Sequence, residues 1–253
     1  MDLGIAQRTA FVSGATQGIG AGTAEALARE GADLFLVARS ADALDTMAGE
    51  LQDRYGVRVR WAPADFSLAG EGERVAQEAQ AALGDVDIVV NNAGRSMPGS
   101  LQTTAEDWAR SQQLNCLSHL EVIRTLLPGM RQRGWGRVIN IVGTAYRHPT
   151  DFNTGTIAKY GLLAASQVTA RTVAPDGVTV NAVTVGFIDT PQISEMFTRW
   201  PARGAEILER IPMGRLGRPE EVASAVLFFA SAAATYCTAS TITLDGGADS
   251  GLV

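Results

Sequence analysis

The sequence predicts a doubly wound α/β fold: one parallel sheet between two layers of helices, in a single domain spanning residues 1–253. Three observations carry this reading. Short apolar runs alternate with helix-length amphipathic stretches along the chain, the pattern of parallel strands joined by right-handed crossovers. The first apolar run, Thr9-Ala10-Phe11-Val12, leads into Ser13-Gly14-Ala15-Thr16-Gln17-Gly18-Ile19-Gly20 and then an alanine-rich helical pattern over 21–29. The 253 residues contain no repeat, low-complexity run or linker.

Each element follows from its own pattern. Residues 33–38 (DLFLVA) read as a second strand and 41–55 as a helix. A short strand is expected over 57–61, a helix over 71–83 and an apolar strand over 86–90. Thr103-Thr104-Ala105-Glu106 has the composition of a helix cap, and a long helix follows it. A fifth strand is read at 137–142, a helix at 153–174 and a sixth strand at 178–183. After an irregular stretch come a helix at 219–231 and a last strand at 240–245.

In such a sheet the ligand lies beyond the carboxyl ends of the strands. Glycines at the first join permit a tight turn. They also let the backbone approach a pyrophosphate at the helix N-terminus, where free N–H groups and the helix dipole favour negative charge. Gly14, Thr16, Gln17, Gly18, Ile19 and Gly20 are therefore candidate cofactor contacts. The second strand is followed by Arg39 and Ser40, with no acid. An acid there would hold the ribose hydroxyl of NAD, whereas an arginine suits the 2′-phosphate, so NADP(H) is expected. After the third strand, Asp65 and Phe66 are candidate adenine contacts, with Asp65 equally suited to capping the next turn. After the fourth strand, small residues let Asn92, Ala93 and Gly94 lie close to a cofactor.

Composition narrows the function. A net charge of −6 argues against nucleic acid as a partner. No apolar run is long enough to span a bilayer and no basic leader opens the chain, so a cytoplasmic location without a membrane role is expected. Cys116 and Cys237 suggest neither a disulfide framework nor a metal site, and both are expected to be small buried hydrophobes.

With these motifs the chain resembles the short-chain dehydrogenase/reductase family nearly end to end. The resemblance rests on residues 14–20, Asn91-Asn92-Ala93-Gly94 and Gly136-Arg137-Val138-Ile139-Asn140-Ile141. Val180-Asn181-Ala182-Val183, Arg218-Pro219-Glu220-Glu221-Val222 and Asp245-Gly246-Gly247 extend it. It implies a Rossmann-like sheet, a nicotinamide cofactor, hydride transfer at an oxygen-bearing carbon and a homo-oligomer, often a tetramer. It also places Gly186, Ile188 and Thr190 beside the cofactor and a substrate lid at about 186–217.

The family's catalytic set is Asn, Ser, Tyr and Lys. Asn115 matches the Asn, and Lys159 matches the Lys that reaches the nicotinamide ribose. The Ser position falls on Gly143 and the Tyr position, four before Lys159, on Gly155. Tyr146 and His148, in the segment after the fifth strand, are candidates for a relocated acid. Thr144 could bond a substrate oxygen but is a poor acid. Tyr160 is about 100° around the helix from Lys159 and is expected to face away from the lost tyrosine site.

The loss can be read through the substrate. Reducing a simple ketone makes an alkoxide, whose proton affinity resembles that of hydroxide (bulk water pKa ≈ 15.7). Reducing a quinone makes a phenolate, for which tyrosine's pKa of about 10 is a fair proxy. The difference of roughly 6 units corresponds to about 8 kcal/mol, so a conjugated product can leave as an anion. Two glycines would also enlarge the pocket for a flat ring. The apolar residues Phe187, Ile193, Met196, Phe197 and Trp200 suit a bulky aromatic ligand, or a helical pair packed on the core. The expected function is NADPH-dependent reduction of a quinone-like or polyketide-type aromatic substrate. The alternatives are an ordinary carbonyl reductase with a relocated acid, and an NADP(H)-binding protein without redox chemistry.

Overall fold

The computed structural model describes residues 3–144 and 152–249. Seven parallel strands form one sheet in the order β3-β2-β1-β4-β5-β6-β7. The strands are β1 (Thr9–Ser13), β2 (Asp33–Ala38), β3 (Val59–Pro63), β4 (Ile88–Asn91), β5 (Gly136–Gly143), β6 (Val178–Val185) and β7 (Thr241–Leu244). The chain starts at the centre, winds outward to β3, and crosses back to place β4 on the other side of β1. That reversal, between β1 and β4, is the switch point where a doubly wound sheet opens a crevice.

Side chains alternate across the sheet, as the period of two requires. Ala10, Val12, Leu34, Leu36, Ile88 and Val90 face one helical layer, made of α1 (Gly18–Arg29), α2 (Ala41–Tyr55) and α9 (Pro219–Ala230). Phe11, Phe35, Val37 and Val89 face the other, made of α3 (Glu71–Leu83), α5 (Ser118–Arg133) and α6 (Thr154–Val173). Both faces of the central strands are buried, which explains why these strands read as continuous apolar runs.

Several expectations need adjusting. The third strand lies two residues later than read. Gly56 takes a left-handed conformation at the end of α2, and the chain enters the ladder only where Leu34 pairs with Val59. Val57, Val59 and Trp61 alternate, so the period alone did not fix the start. The single long helix expected before β5 is two helices, α4 (Ala105–Gln112) and α5, joined by a π-helical turn at Gln113–Leu117. The irregular stretch after β6 contains two short helices, α7 (Pro191–Arg199) and α8 (Pro201–Glu209). Each starts on a proline, which fits the first helical turn because its missing N–H has no partner to lose there. Cys116 is buried as expected, whereas Cys237 is only half-buried; both are free thiols.

Candidate active site

The first join has the geometry its glycines predict. Gly14 and Gly18 both have positive φ, 65° and 55°, a region that a side chain makes costly. A Cβ added at Gly20 would lie 2.7 Å from the Gly14 carbonyl carbon and 2.7 Å from Asn92 Nδ2. Only glycine lets α1 start this close to the turn. Gln17 caps α1 without a side-chain hydrogen bond, and no acid occupies the first turn. The first N–H groups of α1 thus remain open to an anion. Thr190, at the start of α7, lies against this end: a Cβ on Gly18 would meet Thr190 Cγ2 at 2.9 Å.

The loop after β4 is stapled to the same turn. Ser13 Oγ accepts from the backbone N–H groups of Asn92 (3.0 Å) and Ala93 (3.1 Å). Asn92 Nδ2 donates to the carbonyls of Ser13 (3.0 Å) and Gly14 (3.1 Å). Asn92 therefore serves as a brace between these two loops.

The outer candidates divide. Arg39 is exposed at the end of β2, free of the core and close enough to Asp65 for its charge to help hold that carboxyl below the usual range. The larger cause of that lowering is the Ser67 backbone N–H, which donates to Asp65 Oδ1 at 2.9 Å. The turn-capping reading of Asp65 is thus realised. Ser40 caps α2, accepting from Ala43 N–H at 3.3 Å. Phe66 turns its ring into the core, edge-on to His119 with 5.6 Å between centroids, and its carbonyl accepts from Ser118 Oγ at 2.8 Å. Ile188 is likewise buried, and Gly186 lies against Asp245, where a Cβ would come within 2.8 Å.

Asn115 sits in the π-helical turn and Lys159 in the second turn of α6. They flank Gly94: a Cβ there would lie 2.7 Å from Asn115 Oδ1 and 2.9 Å from Lys159 Cε. Asn115 Oδ1 accepts from Arg95 N–H at 3.0 Å, and its Nδ2 donates to the Ser111 carbonyl at 3.2 Å. Lys159 Nζ donates to the Ala93 carbonyl at 3.0 Å. Desolvation lowers the lysine's pKa to about 7, partly offset by the Cys116 thiol.

The two glycines differ. At Gly143 an added Cβ meets nothing within 4 Å, so the space beside the end of β5 is open. At Gly155 the expected vacancy does not exist. A Cβ there would lie 2.5 Å from the Arg95 carbonyl oxygen and 3.1 Å from Met97 N. The loop after β4 has closed onto α6. Asn153 Oδ1 accepts from Met97 N–H (3.2 Å) while capping α6 at Thr156 N–H (3.1 Å), and Thr154 N–H donates to the Met97 carbonyl (3.0 Å). The enlarged pocket read from the sequence is therefore confined to position 143.

Thr144 is half-buried just beyond β5 and Tyr160 is exposed; Tyr146 and His148 lie outside the described residues. One residue escaped the sequence reading. His119 is completely buried and its Nε2 lies 2.7 Å from the Ala93 carbonyl, the group that Lys159 also uses. It follows Asn115 by four residues, a spacing that places two side chains on one helical face and could have pointed to it. Among the described residues no cluster of His, Cys, Asp and Glu could hold a metal ion.

Residues 14–249 match the family model described as enoyl-(acyl carrier protein) reductase. Three solved structures are similar over almost the whole chain. L-sorbose reductase from Gluconobacter frateurii, complexed with NADPH and L-sorbose, is 31% identical with a TM-score of 0.94, covering 100% of both chains. A variant of the actinorhodin polyketide ketoreductase with NADPH is 30% identical with a TM-score of 0.88, covering 97% of this chain and 98% of that one. An NADPH-bound short chain oxidoreductase from Pseudomonas aeruginosa PAO1, described as containing an atypical catalytic center, is 30% identical with a TM-score of 0.87, covering 96% and 97%.

Proposed function

The chain belongs to the short-chain dehydrogenase/reductase family, and from that premise we propose that it is an NADPH-dependent reductase of quinone-like or conjugated, polyketide-type aromatic substrates that works without the family's Ser-Tyr pair. The observation that carries this reading is the contrast within one site. The dinucleotide side has open helix N–H groups, a glycine cradle and Arg39 where a 2′-phosphate would lie. The tyrosine position holds Gly155 under the Arg95 carbonyl, with no room for a phenol. Similarity to NADPH-bound reductases, one with an atypical centre and one acting on a polyketide, supports the same reading.

The residues divide the work as follows. Gly14, Thr16, Gln17, Gly18, Ile19 and Gly20 receive the pyrophosphate on the N-terminus of α1. Arg39 and Ser40 hold the 2′-phosphate, with Asp65 and the Phe66 backbone beside the adenine. Asn92, Ala93, Gly94, Gly186, Ile188 and Thr190 line the nicotinamide end. When bound, NADPH supplies the hydride. Lys159 holds the ribose and places positive charge near the anion that develops on the substrate oxygen, an electrostatic rather than an acid contribution. Asn115 fixes Arg95 and, across Gly94, the wall against which the lysine stem lies. Residues 186–217 form the lid over the ring. A phenolate product then leaves as the anion and takes its proton from water.

The similarity to L-sorbose reductase, complexed with a sugar ketone, supports a second reading, reduction of an ordinary carbonyl, which would require an acid relocated to the segment after β5. Substitution separates the two. Tyr146→Phe and His148→Ala are each expected to lower quinone turnover by less than about tenfold, since a positioned acid is worth roughly 10²–10⁴-fold. A loss of about a hundredfold or more in either variant, with NADPH affinity kept, would identify a relocated acid.

A further inference from the structure

His119 has no role in the family's catalytic set, yet it is completely buried beside Lys159. Its Nε2 is 2.7 Å from the Ala93 carbonyl oxygen and 3.5 Å from Lys159 Nζ. A carbonyl only accepts, so Nε2 carries the proton and the imidazole donates. Lys159 Nζ donates to the same oxygen at 3.0 Å. One carbonyl therefore serves both donors, one on each lone pair. With Nε2 protonated, the neutral ring leaves Nδ1 as a bare acceptor, and Nδ1 has no hydrogen-bond partner among the described residues. Burial and the adjacent ammonium hold the imidazole well below its usual range, so the ring stays neutral.

We propose that His119 is a positioning residue for Lys159: by taking one lone pair of the Ala93 carbonyl and holding the positive end of its N–H dipole beside the ammonium, it limits how firmly that ammonium is held. Removing the imidazole N–H gives the carbonyl to Lys159 alone and removes a positive dipole end 3.5 Å away. Both changes favour the charged lysine. The Lys159 ammonium acts on His119, and the Cys116 thiol from the π-helical turn acts on Lys159. The nearby acids are engaged elsewhere: Glu121 accepts from Gly70, Gly72 and Gln113, and Asp65 from Ser67. The sign for catalysis follows. The lysine's folded pKa is lowered to about 7, so its charge is present below that pH and lost as pH rises through it. The kcat/KM profile should show a falling alkaline limb there, since that ratio reports the free enzyme.

The proposal rests on the reading of Lys159 as the electrostatic centre of the site, but it can be tested without turnover. Lys159 is the only lysine in the chain and His119 one of two histidines. Protein labelled with ¹³C at lysine Cε thus gives one side-chain signal, and its midpoint can be titrated without cofactor or substrate. ¹⁵N-histidine spectra, assigned with His148→Ala, should show His119 protonated on Nε2 and bare on Nδ1. In His119→Phe, which keeps an aromatic edge for Phe66, the lysine midpoint should rise by about 0.5–1 unit. The alkaline limb of kcat/KM should move with it. His119→Gln, which restores an N–H donor, should return both to the wild-type value. A wild-type His119 protonated on Nδ1, a midpoint unchanged in His119→Phe, or equal shifts in both variants would overturn the proposal. Absence of turnover with every acceptor would instead count against the reductase reading and leave this titration standing.

Discussion

At the scale of single residues, the informative positions are glycines. Gly14, Gly18 and Gly20 were legible in the sequence because a tight strand-to-helix turn restricts its residues by backbone geometry, and spacing records that restriction. Gly143 and Gly155 were equally visible as departures, but their surroundings were not. Nothing in the sequence says that the Arg95 carbonyl lies over Gly155, because that contact depends on how the loop after β4 folds against α6. The consequence is testable. Gly143→Ser enters open space and should change stability by no more than about 0.5 kcal/mol. Gly155→Tyr must push the Arg95 carbonyl away, an overpacking that costs about 1–3 kcal/mol, and a thermal melt should show it. Adding both substitutions should not produce turnover of aliphatic ketones. Vigorous ketone reduction by the double variant would mean that the loop yields and the glycines are simple deletions of a working site.

At the scale of elements, the strand-to-helix joins did most to make the site readable. Six of the seven strand ends that the alternation located carry a candidate contact, because a parallel sheet presents all its carboxyl ends on one side. The β2–α2 join is the clearest case: Ser40 caps the helix and Arg39 is left exposed at the mouth of the crevice. Arg39→Ala should weaken NADPH binding by about 1.5–3 kcal/mol, roughly 10- to 150-fold in Kd, with NADH affinity little changed. Equal binding of the two cofactors by the unaltered protein, measured by fluorescence titration, would contradict the assignment. The break in the long helix at 113–117 was not legible. A π-helical turn inserts one residue without changing the apolar pattern enough to disclose it, and that turn sets the neighbours of Asn115 and hides the pairing of His119 with Lys159.

At the scale of the whole molecule, neither assembly nor substrate follows from the sequence, and the surface speaks to the first. Ile157, Gly161, Ala164 and Val168 are all exposed and follow one another at helical spacing along α6. With Leu117 at the end of the π-helical turn, they leave apolar surface uncovered on the helical layer away from α1. We propose that this stripe packs against a second copy within a homotetramer, and that Val168→Arg lowers the mass seen by light scattering at micromolar concentration. A monomeric mass for the unaltered protein would refute it. Among the described residues no helix is long and apolar enough to cross a membrane.

The substrate class is the central claim, and initial rates of NADPH oxidation against matched quinones, aromatic diketones and simple aliphatic ketones test it most directly. Turnover is expected with the conjugated acceptors, whose reduced forms are stabilised anions, and little or none with the aliphatic ketones. Robust turnover of aliphatic ketones but not quinones would contradict it, and so would tight NADPH binding with no oxidation by any conjugated acceptor.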